Sequence, residues 1–351
     1  MTNSLLTEGI NWYGPMNPYY GYGRVNMEYS VALERLTGIV TIPWERRTEQ
    51  SEVWVDMTEE QRALHKKPPV KSQLGIIKSI PTLFHMNKSP FKIGYTMVEN
   101  TRMGEGWTEV CNRMNAMFVP TEFVKQVFEE SGVKIPIMVV RQGIDTKRFP
   151  YIDRPLHREP YTFGIISFMD DRKNWKDLYS AFSSEFGPEE NVRLIIKNAN
   201  PTWGAIVPKD PRVKIVHQQL TFSQLTKFYE TLDCFVFPSH AEGSGLPPRE
   251  AMATGLPTIL TNFSGLTEVC GVKYNYPIDP VAIDCPDERG DPSQPGFWAR
   301  LDVAEIMYWM RYVYEHQEEA KEKGRIASEF IHREFNWDRC AQIMWEHLKN
   351  L

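Results

Sequence analysis

Two glutamates with seven residues between them stand in the stretch from Phe237 to Pro257. Glu242 precedes the glycines Gly243 and Gly245, and Glu250 follows two prolines. Glycine lets a ligand approach the backbone closely, and proline is favoured in the first turn of a helix. The free N–H groups at such a helix start bind anions, and a carboxylate in the first turn can accept hydrogen bonds from a sugar diol. This stretch therefore predicts a site for a diphosphate that carries a sugar.

Each glutamate by itself has a simpler interpretation. Glu250 could only complement the dipole of its helix, and Glu242 could be a solvated loop residue. The combination of both glutamates with the glycines and prolines between them favours the ligand site.

The elements around this stretch alternate between strands and helices, which indicates parallel α/β architecture. Residues 277–300 are rich in Pro, Gly and Asp and predict a long loop. Two helices should close the chain, over 302–334 with a break and over 337–349. The other elements predicted for the second half are strands Tyr161–Ser167, Arg193–Lys197, Val213–Val216, Cys234–Phe237 and Pro257–Thr261, and helices Trp175–Phe186, Ser223–Thr231 and Pro248–Thr254.

The first half shows the same alternation. Thr58 and Gln61 have the spacing of a capping box, so a short helix should begin there within a polar excursion over 44–72. The other predicted elements are helix Val25–Leu36, strands Ile39–Ile42, Phe91–Val98, Asn115–Val119 and Ile137–Val140, and a helix from Pro120 to Ser131. A proline-rich linker at 150–160 should separate a domain over 1–152 from a domain over 153–335, with a terminal helix over 336–351.

Composition narrows the class of protein. A chain of 351 residues with 42% hydrophobic and 24% charged residues suits two soluble globular domains. The formal net charge of −5 argues against strong nonspecific binding to nucleic acid. The five cysteines show no C-x-x-C pair, so a reducing cytoplasm is expected and neither a disulfide framework nor a zinc site is indicated. Neither a secretory signal nor an integral membrane segment is expected.

Several motifs together resemble the GT4-type retaining glycosyltransferases, which have the GT-B fold. The segment from Glu242 to Pro257 matches every fixed position of the family's pattern E-G-x-G-L-P-x-x-E-A-M-A-x-G-x-P. Three further passages are similar to family motifs and follow in the family order: Pro120–Phe123 with Gly143–Phe149, Arg172–Asn174 with Leu178 and Ala181–Phe182, and Leu225–Ser239. The resemblance implies two Rossmann-like domains that face a central cleft, and a C-terminal helix that crosses back to the first domain.

The resemblance also implies retaining transfer from a UDP- or GDP-sugar without a metal or other cofactor. Lys173, helped by Arg172, would neutralise the leaving diphosphate, and Lys197 is a second possible phosphate contact or a salt-bridge partner. Glu250 would hold the ribose hydroxyls and Glu242 the transferred sugar. The remaining donor contacts would come from the backbone of Gly243, Ser244, Gly245 and Leu246, and from a base-stacking region between His217 and Leu220.

In the first half, Gly21-Tyr22-Gly23-Arg24 resembles the family's Gly-rich loop, with Gly23 near the donor phosphates, although a simple turn is an equal alternative. His85 and Glu99 lie where acceptor-side strands should end. Either residue would orient the acceptor hydroxyl or stabilise the sugar cation, and a structural role for His85 is an equal alternative.

One position departs from the family pattern, because Phe168 stands where an arginine often precedes the motif lysine. Residues 40–88 are not explained by the resemblance. The acceptor stays open between a glycan, a lipid carrier, a protein and a modified nucleobase. Two other functions also fit the sequence: a nucleotide-sugar epimerase of the same fold, and a nucleotide-sugar-binding module without transferase activity.

Overall fold

The computed structural model describes residues 9–39, 41–45, 48, 52–68, 72–198, 208–286 and 296–351. Within these ranges the chain forms two six-stranded parallel sheets with helices between the strands. This confirms the predicted α/β architecture. No helix in the described part is long and apolar enough to cross a membrane.

The first sheet has the strand order β2-β1-β3-β4-β5-β6. Its strands are β1 (Ile10–Tyr13), β2 (Thr41–Pro43), β3 (Leu74–Lys78), β4 (Phe91–Tyr95), β5 (Ala116–Val119) and β6 (Ile137–Val139). Its helices are α1 (Gly21–Thr37), α2 (Glu59–Lys66), α3 (Trp107–Cys111) and α4 (Glu122–Glu130). The predicted capping box of Thr58 and Gln61 is present at the start of α2. The excursion also contains a 3-10 turn, Glu52–Asp56.

The second sheet has the order β12-β11-β10-β7-β8-β9. Its strands are β7 (Tyr161–Ser167), β8 (Val192–Asn198), β9 (Val213–His217), β10 (Cys234–Phe237), β11 (Thr258–Thr261) and β12 (Tyr276–Ile278). The helices are α5 (Trp175–Glu185), α6 (Phe222–Glu230), α7 (Leu246–Ala253), α8 (Val303–Glu315), α9 (Gln317–Glu334) and α10 (Trp337–Lys349). The predicted break in the penultimate helix lies at His316.

The prediction of a long loop over 277–300 was wrong. Besides β12, this region contains an antiparallel pair, β13 (Ala282–Pro286) and β14 (Phe297–Arg300), while 287–295 lies outside the described residues. A tertiary contact accounts for the difference: Trp298 in β14 is buried and its indole donates a hydrogen bond to Asn100 of the first domain. Such a long-range contact leaves no trace in local composition.

Helix α10 packs on the first domain although it follows the second one in sequence. Its inward side chains join the first-domain core around Trp12 and Tyr29, namely Trp337, Cys340, Ala341, Met344 and Leu348. The ring of Trp337 meets that of Tyr29 edge-on at 5.0 Å between centroids. The predicted return of the terminal helix is therefore confirmed.

Candidate active site

A cavity of about 410 Å³ lies between the two sheets, next to the carboxyl ends of β7 and β8. Ligands of open α/β sheets bind outside the carboxyl ends of the strands, so this is the expected place for a site. Both domains line it. The first domain contributes Tyr19, Tyr20, Gly21, Tyr22, Arg24, Met97, Glu99 and Gln142, and the second contributes Ile166, Ser167, Phe168, Lys173, Lys197, Gln219, Leu220, Phe222, Leu225, Glu242, Gly243, Ser244, Gly245, Leu246, Pro247 and Glu250.

Glu242 lies in the loop between β10 and α7, where one of its carboxylate oxygens accepts three hydrogen bonds. Its Oε1 accepts from Arg172 Nη1 at 2.8 Å, Lys173 Nζ at 2.5 Å and Ser239 Oγ at 2.7 Å. Burial by itself would raise the pKa of Glu242, but Arg172 and Lys173 outweigh it and lower the pKa. Glu242 is therefore a fixed anion on the cavity wall. Within the described part of the chain, none of its hydrogen bonds uses Oε2, which is left to accept from a ligand hydroxyl.

Arg172 and Lys173 differ in position although they are neighbours. Lys173 lines the cavity, whereas Arg172 lies behind Glu242 and also donates to the carbonyl of Ala241 at 2.6 Å. Arg172 Nη2 lies 3.9 Å from Glu99 of the first domain. Arg172 therefore links the carboxylates Glu242 and Glu99, and only Lys173 presents its charge to the cavity.

The start of α7 forms the floor of the cavity. Gly245 is its N-cap with φ +80°, and a Cβ there would come within 2.6 Å of Leu266. A Cβ on Gly243 would come within 2.8 Å of Met97. The N-terminus of α7 faces the cavity, which Gly245, Leu246 and Pro247 line. Helix α7 has no side-chain cap and no acidic residue in its first turn, so its own first turn does not offset the positive end of the helix dipole. Ser244 is fixed by Arg249, whose Nη1 donates to its hydroxyl at 2.5 Å.

Glu250 lies in the second turn of α7 and not, as was predicted, in the first turn. Helix α7 begins at Leu246, so Glu250 is its fifth residue and not part of its first turn. Its Oε2 accepts from the hydroxyl of Tyr229 at 2.8 Å, and its Oε1 forms an ion pair with Arg24 of the first domain. The carboxylate still reaches the cavity because α7 points its first turns at the cleft.

Lys197 supplies a second cation to the cavity at the end of β8. It is 4% exposed, and its pKa falls to about 8 through burial and the nearby charge of Arg24, against the opposing effect of Glu250. Leu220 also lines the cavity, beside Gln219. Glu99 lines the cavity from the first domain.

Besides Arg172, three predicted site residues do not line the cavity. His85 is exposed in a 3-10 turn, Pro81–Met86, where its Nδ1 lies 2.9 Å from the carbonyl of Thr82. His217 ends the edge strand β9 and pairs with the side chain of Asn198 at 3.1 Å. The predicted Gly-rich loop is instead the first turn of α1. Gly23 packs so closely on Asn17 that a Cβ on Gly23 would lie 2.1 Å from the backbone oxygen of Asn17.

Sequence reasoning missed Arg24 and Tyr229, which hold Glu250, and Ser239, which holds Glu242. Arg24 and Glu250 are 226 positions apart, so no local pattern could have paired them. Ser239 lies three residues before Glu242 and was the one partner within reach of a local prediction. Among the described residues, no three His, Cys, Asp or Glu side chains are grouped as metal ligands.

Comparison with known proteins places the second domain in a family. Residues 160–282 match the family described as glycosyl transferases group 1. A lipopolysaccharide core biosynthesis mannosyltransferase of Rhizobium meliloti is 26% identical over 191 residues, 48% of this chain and 51% of the relative. A glycogen synthase of Mycobacterium tuberculosis is 23% identical over 210 residues, 58% of this chain and 46% of the relative. The chain thus spans about half the length of these curated relatives.

Two solved structures share the fold along nearly the whole chain. Sucrose-phosphate synthase from Thermosynechococcus elongatus superposes with a TM-score of 0.71 at 14% identity and covers 98% of both chains. HepE of Anabaena, solved with UDP and glucose, superposes with a TM-score of 0.68 at 12% identity and covers 98% of this chain and 100% of its own. At such identities the likeness shows the fold, which is GT-B, as predicted.

Proposed function

From the match of residues 160–282 to the group 1 glycosyl transferases and the GT-B fold of the chain, we propose that the protein is a GT4-type glycosyltransferase that transfers a sugar from a nucleotide-diphosphate sugar to a hydroxyl acceptor. One observation carries the proposal. Glu242 and Glu250 stand at the two ends of the glycine loop and the first turn of α7, and both reach one interdomain cavity. Between them lies the uncapped end of α7, which suits a diphosphate.

The donor that we propose is a UDP- or GDP-sugar. Glu250 accepts hydrogen bonds from the ribose hydroxyls, and the open Oε2 of Glu242 accepts from hydroxyls of the transferred sugar. The backbone from Gly243 to Leu246 runs along the sugar and the phosphates. Leu220 and its neighbour Gln219 line the cavity where the base would stack.

We propose that the transfer retains the anomeric configuration and needs no metal. The acceptor oxygen attacks the anomeric carbon from the face that the diphosphate leaves. The bond from that carbon to the phosphate oxygen breaks, and the leaving phosphate takes the acceptor's proton. The protein then contributes position and charge: Lys173, Lys197 and the N-terminus of α7 stabilise the negative charge on the leaving group.

The hydroxyl acceptor that we propose belongs to a glycan, a lipid carrier, a protein or a modified nucleobase. Glu99 faces the cavity from the first domain and is the candidate to orient the acceptor hydroxyl. An epimerase would use the same donor contacts and turn over the nucleotide sugar without any acceptor, and a binding module would not turn it over at all.

Substitution of Glu242 tests the proposed transfer. The purified chain is incubated with UDP- and GDP-sugars, with and without acceptors of each class, and release of UDP or GDP is followed. Glu242→Gln keeps one acceptor for Lys173 but removes the fixed charge, so we expect turnover to fall by about 10²–10³-fold, similar to the loss of one electrostatic contact in an active site.

The exposed Glu318→Gln is the matched control and should leave turnover unchanged. Unchanged turnover in Glu242→Gln would contradict the role of this residue. Turnover that never depends on an acceptor would favour the epimerase, and a wild-type chain that binds neither UDP nor GDP would overturn the proposal.

A further inference from the structure

Arg24 reaches from the first domain into the cavity and touches the second domain. It lies in the first turn of α1, its Nη1 pairs with Glu250 Oε1, and its guanidinium lies 4.9 Å from the centre of the Phe222 ring. The side chain is 17% exposed, whereas that of Glu250 is 3% exposed. This ion pair joins the two domains across the cleft.

The ion pair occupies the carboxylate that the proposed function assigns to the ribose. Both oxygens of Glu250 already have partners, Arg24 on Oε1 and Tyr229 on Oε2. Tyr229 is fully buried and its hydroxyl also lies 3.2 Å from the carbonyl of Pro247, so it is fixed in place. Arg24 is the partner on the cavity side. A ribose hydroxyl that approaches Glu250 from the cavity therefore competes with Arg24 for Oε1.

A guanidinium that loses its carboxylate in a mostly buried cleft needs another anion, because an uncompensated charge there is strongly destabilising. The cavity next to Arg24 is built for one. Helix α1 has no side-chain cap and no acidic residue in its first turn, and it begins at Gly21. A Cβ on Gly21 would lie 4.0 Å from Leu246, the first residue of α7. The positive ends of two helices therefore converge on one space.

Cationic side chains surround the same space. Lys173 and Lys197 line it from the second domain, and Arg24 is close enough to Lys197 to lower its pKa. Phe168, which also lines it and is 44% exposed, brings no charge. A diphosphate bound here would relieve the repulsion between Arg24 and Lys197.

We propose that Arg24 binds the donor diphosphate from the first domain and that donor binding exchanges its partner. Before binding, Arg24 pairs with Glu250. In the complex the ribose takes Glu250, and the guanidinium, whose planar donors fit phosphate oxygens in pairs, moves to the diphosphate. This inference rests on the proposed function, since it needs a nucleotide in the cavity.

The proposed exchange predicts that removal of Arg24 affects the affinity for a nucleoside and the affinity for a nucleoside diphosphate differently. A nucleoside must break the ion pair and has no phosphate to bind Arg24. Removal of Arg24 should therefore leave the affinity for the nucleoside unchanged or increase it. A nucleoside diphosphate should lose affinity when Arg24 is removed. A merely structural role for Arg24 would weaken both ligands alike, and a role as a competitor for Glu250 alone would strengthen both.

Binding of uridine, guanosine, UDP and GDP is measured by isothermal titration calorimetry on the full chain. Arg24→Gln keeps an amide donor for Glu250, and Arg24→Lys keeps the charge without the planar fork. We expect Arg24→Gln to weaken whichever nucleoside diphosphate the wild type binds by at least tenfold, Arg24→Lys to weaken it less, and neither variant to weaken the matching nucleoside.

Arg35→Gln on the same helix is the control, because Arg35 pairs with Glu60 and Asp338 at the surface and not in the cavity. Equal losses for nucleoside and diphosphate, or an unchanged or tighter diphosphate, would overturn the inference while the proposed function stands. A wild-type chain that binds neither UDP nor GDP would overturn both. Thermal melts of each variant show whether a loss comes from unfolding.

Discussion

At the scale of single residues, two buried carboxylates at the cavity are paired with cations: Glu242 with Arg172 and Lys173, and Glu250 with Arg24. Lys78, at the end of β3, is different. Its side chain is completely buried, and its Nζ faces the rings of Tyr22 and Tyr95 at 4.0 and 5.1 Å from their centroids. Among the described residues, Nζ has no hydrogen-bond partner. Burial lowers the pKa of Lys78 to about 7.

This burial predicts a pH-dependent stability. Between pH 7 and 10.5, the unfolded Lys78 binds a proton that the folded side chain has lost, so stability rises with pH in that window. Lys78→Met removes the penalty and should stabilise the chain at pH 7. Its advantage over the wild type should shrink by up to about 1.4 kcal/mol per pH unit towards pH 10.

Urea denaturation at several pH values measures this difference. The exposed Lys88→Met is the control and should show no such trend. A Lys78→Met advantage that stays constant from pH 7 to pH 10 would contradict the lowered pKa of Lys78.

At the scale of elements, the turn from β10 into α7 depends on backbone conformation. Gly245 has φ +80° in the left-handed region that favours glycine, and a Cβ there would overlap with Leu266 at 2.6 Å. Gly38 at the end of α1 has a similar φ of +68°, but a Cβ on Gly38 would meet no atom of the described surroundings within 4 Å. A comparison of alanine substitutions at the two glycines therefore distinguishes the free-energy cost of a strained φ from the cost of a steric clash.

We expect Gly38→Ala to lower the free energy of unfolding by about 1 kcal/mol through the strained φ alone. Gly245→Ala carries the same strain and must also displace Leu266 and the start of α7. It should destabilise the chain more and weaken binding of UDP or GDP, which calorimetry measures, while Gly38→Ala binds normally. Equal effects of the two substitutions on binding would refute this assignment of the turn.

At the scale of the whole molecule, contacts across the cleft hold the two domains together. Thr121 donates to the carbonyl of Gly243 at 3.3 Å, Arg141 pairs with Glu268 at 3.0 Å, and α10 completes the first-domain core. Although α10 follows the second domain in sequence, the core of the first domain is incomplete without it.

Met344 on the buried face of α10 tests this dependence. Met344→Ala should destabilise the first domain by about 2–5 kcal/mol, the usual range for removing a buried methionine side chain. The exposed Gln342→Ala on the same helix should change stability by less than about 0.5 kcal/mol. Scanning calorimetry, which resolves separate domain transitions, measures both, and equal transitions in the two variants would show that α10 is not part of the first-domain core.

The local sequence pattern was enough to predict much of the secondary structure. Strands Tyr161–Ser167 and Cys234–Phe237 were predicted with their observed ends, because each is a continuous buried run with turn residues at both sides. Strands β1 and β3 were not predicted, although they are central to the first sheet. Fully buried parallel strands lack the alternation that marks a half-buried strand, so short apolar runs among polar residues are easily missed.

The sequence by itself determined the α/β class, the match of residues 160–282 to a glycosyltransferase family and the group of residues on the second-domain side of the cavity. Motif residues that are close together in the chain share one loop and one helix start. Only the tertiary structure decided which charges meet. It set His85 and His217 outside the cavity, placed Arg172 behind Glu242, and brought Arg24 to Glu250 from 226 positions away. The physical reason is that such pairs depend on how the two sheets face each other, and spacing along the chain carries no information about that arrangement.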